Sequence, residues 1–291
     1  MGEQRVSNLE RRYRLLLKVL PRWYRQDREE EMVGIFLADR TDELDLEHSW
    51  PGWGETGAVL GLAVRTHLAA GAALTNVPMK VAWRGEIVRA LGMIGLLLGV
   101  FYAGASITSM VYAYQHPEIV GGLTWMRVFD VAPIVAFVAL LAKKRTTAKL
   151  AALAAALPAV VTVGPHIGAW LLFQLPSLVT FVALCLGFHR EAPTPPVRRL
   201  AWWGGGALLV GVLGGFALGA FVVPVAAVVL RVVAFVRGDF VLGRALSVFA
   251  VLELAPLAFL LAGGEVFGVA LVLAVLLVIS AVAPVRRVRT S

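Results

Sequence analysis

From Glu86 onward the chain is a succession of apolar runs parted by short loops, and that pattern leaves few folds open. A helix needs about 20 apolar residues to cross a bilayer, with about 17 as a lower limit. Ala90–Tyr112, Met126–Ala142, Ala148–Gly164, Ile167–Phe188, Phe240–Leu261 and Val266–Ala283 all meet that length. In lipid each span must satisfy its own backbone groups, so runs of this kind predict helices. Mean hydropathy is +0.78. Charged residues make up 16% of the 291, against about a quarter in a soluble domain. The expected fold is all-α: a polytopic helical membrane domain over 86–291, preceded by a helical module over 1–85.

The stretch Leu200–Val236 is too long for one span and short for two. Charge favours two. Lys143–Lys149, His189–Arg199, the collar Lys80–Arg89 and the tail Arg286–Arg289 are basic, while Gln115–Trp125, Pro165–His166 and Gly263–Glu265 hold no Lys or Arg. A turn near Ala220–Pro224 puts every basic loop on one side, which the positive-inside rule makes the cytoplasm. The expectation is about eight spans in the inner (plasma) membrane, with both termini cytoplasmic. Trp83, Trp202 and Trp203 then fall at the inner boundary, and Tyr112, Tyr114, Trp125 and Trp170 at the outer one. Gly204–Gly206, Gly214, Gly215 and Gly219 suggest a closely packed central helix. The net charge of +8 lies in the loops and implies no direct nucleic-acid binding. The start MGEQRVSNLERRYR lacks an apolar core, so no cleaved signal peptide is expected. The single cysteine, Cys185, excludes an internal disulfide and reads as a packing residue.

The N-terminal portion is built differently. Ser7-Asn8-Leu9-Glu10 fits a capping box. Leu9, Tyr13, Leu16, Leu17 and Leu20 then recur at helical spacing until Pro21 stops or kinks the helix. A second helix is expected from Arg22 to Glu43. Residues 1–25 hold seven basic and two acidic side chains, net +5, and residues 26–49 hold two basic and nine acidic, net −7. Opposite charge favours folding the two helices back on each other. A turn at Trp50–Gly54 leads to a third helix, Glu55–Ala70, and Gly71–Pro78 reads as a linker. The residues best placed to meet a partner protein are Arg12, Tyr13, Trp23, Tyr24, Glu29, Glu30 and Glu31. The other reading is a segment lying on the bilayer. The basic first helix suits that reading, and the acidic second helix does not.

The run LERRYRLLLKVLPRWYRQDREEEM, Leu9–Met32, is a basic helix, then P-x-W-Y-R, then an acidic cluster closing on Met. It resembles the N-terminal domain of actinobacterial HAAS-type, or permease-prefix, membrane proteins. The likeness covers about a tenth of the chain directly. It implies a cytoplasmic module associated with a PadR-like transcriptional regulator, and implies nothing firm about the membrane half.

Ionisable residues inside spans are costly and mark candidate sites. Glu253, three residues before Pro256, sits mid-span; Arg231 lies in the preceding span. A transporter or permease component using a Glu253/Arg231 site is the alternative function, and a structural buried pair the plainer one. Arg127 and Asp130 look like a local ion pair at the outer end of the second span. His116, Glu118 and His166 share the outer side, but their spacing requires no metal. There is no G-x-x-x-x-G-K-[ST], H-E-x-x-H, paired-cysteine site or G-x-S-x-G. No cofactor, metal or enzymatic activity is therefore expected. The expected partners are a cytoplasmic protein and the lipid bilayer, with a homo-oligomer left open.

Overall fold

The computed structural model describes residues 7–38, 50–68, 79–117, 125–157, 167–188 and 195–260. The expected extension of the second helix to Glu43, the linker Gly71–Pro78, Glu118, His166 and the span Val266–Ala283 lie outside the described residues. All elements among the described residues are helical, and the fold is all-α. The chain divides into two compact units, Met1–Gly85 and Glu86–Ser291.

In the first unit, α1 spans Asn8–Leu17, α2 Arg22–Ala38 and α3 Trp53–His67. Ser7 is the N-cap of α1, its hydroxyl accepting from the Glu10 amide at 3.2 Å. Leu9, Tyr13, Leu17 and Leu20 form the buried stripe of the first segment. Tyr13, Leu17 and Leu20 cluster with Val33 of α2 and Val59 and Ala63 of α3, so α1 packs against both other helices. The Tyr13 and Phe36 rings stack at 3.8 Å with planes 3° apart. Thr66 is fully buried, but its hydroxyl donates to the Leu62 and Ala63 carbonyls, which removes most of the cost of burying it.

In the second unit, α4 (Met79–Gln115) starts just before the boundary and runs through it. A 3-10 segment, Trp125–Val131, leads into α5, Ala132–Leu141. Then come α6 (Arg145–Ala156), α7 (Ile167–Gly187), α8 (Val197–Val236) and α9 (Phe240–Leu260). One core joins α4 to α8: Met93, Leu96 and Val100 of α4, Phe137 and Leu140 of α5, Ala148 and Ala152 of α6, Leu184 of α7 and Leu200 of α8. Helices α5 and α8 end alike. Lys143 (φ 58°) and Gly238 (φ +66°) take the left-handed conformation after them. The Lys144 amide then reaches Ala139 O at 2.8 Å, and the Asp239 amide reaches Ala234 O at 2.8 Å. The Asp239 carboxylate goes on to accept from the Leu242 amide at 3.0 Å, starting α9.

Three sequence expectations are corrected here. Leu200–Val236 lies in one continuous helix, α8, with no turn near Ala220–Pro224. Around Ala220–Pro224 no polar side chain competes for the backbone, and a proline forfeits only one helical hydrogen bond and leaves the rest intact. The Met126–Ala142 run is not one α-helix: Pro133 stands in the first turn of α5, where its missing N–H costs nothing, and a 3-10 segment precedes it. Cys185 is exposed on α7, turned away from the buried Ala183 and Leu184. Among the described residues, Ala82–Gln115 is the one helix long and apolar enough to cross a bilayer by itself.

Candidate functional site

The charged face of the first unit is built around Arg14. Its Nη1 and Nη2 donate to the two carboxylate oxygens of Glu30 on α2, at 2.7 and 2.9 Å. Its Nε donates to Glu10 Oε1 at 2.9 Å, and Glu29 lies 3.9 Å away. A two-pronged pair of this kind fixes direction as well as distance. The Glu30 carboxylate, then that of Glu10, keeps the guanidinium protonated to a higher pH than usual. In return Arg14 holds the Glu30 carboxyl below the ordinary carboxylate range. Arg25 lies 3.7 Å from Glu29, and Arg28 donates to Glu31 at 2.7 Å.

The seven residues expected to meet a partner are therefore divided in role. Tyr13 is 6% exposed and belongs to the core; burial, then the Glu55 charge, raises its hydroxyl pKa above 10. Tyr24 packs beside that core, and Trp23 meets it edge-on, ring centres 5.8 Å apart. Arg12 lies over the Trp50 ring at 4.6 Å. Glu29, Glu30 and Glu31 are each spoken for by an arginine, yet the Glu30 side chain stays 81% exposed and that of Glu31 53%. What remains outward is a mixed-charge surface on α2. Trp50, read from sequence only as part of a turn, is the missed member.

In the second unit the expected Arg127–Asp130 pair is replaced by bonds to α4. Asp130 Oδ2 accepts from Ser106 Oγ at 2.6 Å, and Arg127 Nη1 donates to Ser109 Oγ at 3.1 Å. Both pairs of residues are three apart, and the strands of chain run antiparallel, so the two bonds form successive rungs. The hydroxyls of GASITSM, Gly104–Met110, were the available signal. Nearby, Thr108 Oγ1 donates to Val212 O of α8 at 2.8 Å. The Arg231 guanidinium lies against Gly243 of α9, where an added Cβ would collide with it. Gly243 precedes Glu253 by ten residues, about 15 Å of helix. The Glu253 side chain lies outside the described residues. Among the described residues no three His, Cys, Asp or Glu side chains gather as a metal site would require.

No family model, curated protein or solved structure matches this chain.

Proposed function

We propose that the chain is a multi-pass membrane protein whose module, residues 1–85, faces the cytoplasm and binds a protein, a PadR-like transcriptional regulator. The class of partner comes from the resemblance of Leu9–Met32, and one observation carries the membrane-and-module reading: the charged helices fold around a core of their own, on a chain whose remaining helices show apolar residues outward. Leu209, Leu213, Val225, Val229, Val232 and Val236 of α8 are all exposed. A surface like that suits lipid and is costly in water. The module offers the opposite, the exposed charges of Glu30, Glu31 and Arg28 beside the apolar Ile35, which is 68% exposed. Charged and apolar groups side by side steer and then hold a protein partner.

The eight-span arrangement belongs to this proposal. At 1.5 Å per residue α8 is about 60 Å long, twice the hydrocarbon thickness. In a bilayer it either turns or leaves about twenty apolar residues in water. The basic loops argue for a turn, so the proposal has α8, continuous in this structure, bend near Ala220–Pro224 once in a bilayer. The transporter reading finds less support, since the Arg231 guanidinium lies beside Gly243 and not near the level of Glu253.

The test uses the full-length chain in lipid nanodiscs as bait for the cytosol of its own cell. A winged-helix regulator should be retained, and Glu30→Lys with Glu31→Lys should release it. Retention of no regulator, or retention that ignores the charge reversal, defeats the reading.

A further inference from the structure

Helix α3 has two apolar sides. One, Val59, Ala63 and the satisfied Thr66, is buried in the module. The other has no partner among the described residues: Trp53 is 92% exposed, Leu60 46% and Val64 45%. At 100° per residue these three fall within roughly 40° of arc. Gly57, between them, would carry a Cβ into open space. The only charged side chains of α3 are Glu55 and Arg65, and Glu55 folds back over Gly52 at the helix start. The exposed stripe is narrow, and its one polar group is the Trp53 indole N–H, which suits the headgroup level.

What covers it follows from where the chain goes next. Eleven residues separate His67, the end of α3, from Met79, the start of α4. Fully extended they span about 40 Å at most. Taking α4 as a membrane span, as proposed above, a bilayer surface is always within reach of α3 at high effective concentration. Trp is the residue that best suits the headgroup level, and Leu and Val gain by entering just below it. Charge does not oppose this. Residues 1–85 hold twelve Lys or Arg and twelve Asp or Glu, net zero, and the α2 carboxylates Glu29, Glu30 and Glu31 are paired with arginines.

We propose that α3 lies along the bilayer surface with Trp53, Leu60 and Val64 at headgroup level. The test places nitroxide labels one at a time on the full-length chain. Cys185, the one cysteine, is replaced by Ala. Leu60→Cys, Ala58→Cys and Tyr102→Cys then carry the label in phosphatidylcholine–phosphatidylglycerol vesicles. Ala58 is exposed on another side of α3, and Tyr102, 45% exposed, lies in the apolar part of α4. Oxygen should relax the labels at 60 and 102 several-fold more than a water-soluble nickel chelate does, with the order reversed at 58. A label at 60 that behaves like the one at 58, with 102 still lipid-like, overturns this inference alone. A label at 60 shielded from both reagents also overturns it, because protein then covers the stripe. A nickel-accessible label at 102 sinks the membrane reading itself.

Discussion

At the scale of single residues, the first unit separates what holds it together from what it displays. Leu17 is fully buried between helices. Leu17→Ala should cost about 2–5 kcal/mol, read as faster hydrogen exchange of the α1 amides in the full chain. Arg14→Gln should cost much less, with an effect that shrinks as salt is added, because the pair it breaks is open to water. The Glu30 carboxyl titrates lower folded than unfolded, since Arg14 favours its charged form. Its contribution is therefore complete above the ordinary Glu value and disappears as pH falls through the depressed one. Glu30→Gln should flatten that acid limb, measured as α1–α2 protection against pH. Sequence periodicity was enough to place Leu9, Tyr13, Leu17 and Leu20 on one face. It was not enough to tell a core tyrosine from a docking one. Both uses want an amphipathic ring beside arginines, and only the stacking of Phe36 on Tyr13 decides between them.

Among elements, the crossing of α4 and α8 is the most demanding contact. A Cβ on Gly104 would sit 2.7 Å from Leu208 O, and one on Gly211 would collide with Phe101 O. The two helices meet backbone to backbone, as small residues allow in membranes. Gly205, on the same helix, opens onto empty space. Gly211→Leu should therefore destabilise by about 1–3 kcal/mol or more, seen as a lower melting point by fluorescence-detected size exclusion. Gly205→Leu should leave that melting point unchanged. Glycine crowding announced close packing around residues 204–219, but not which glycines touch. That depends on a partner helix whose Gly104 looks ordinary in its own run. The rungs from Ser106 and Ser109 to Asp130 and Arg127 were missed for a similar reason. An ion pair three residues apart is the obvious local choice, and the competing hydroxyls lie some twenty residues earlier in the chain.

For the whole molecule, the sequence made the helical class legible, because uninterrupted apolar length excludes open strands in lipid. Connectivity in the apolar half was less so. A run such as Leu200–Val236 fits one helix or two with the same residues, and loop charge argues only about sides. A reporter fused after Ser291 should read cytoplasmic, active as a fluorescent protein and inactive as a periplasmic phosphatase. The reverse result would make α8 a single crossing. One further property is mechanical. Helix α4 is unbroken from Met79 to Gln115, so between Ser106 and Trp83 there is no joint, only about 35 Å of stiff rod. A strain applied where Asp130 grips that helix meets no break in it along that length.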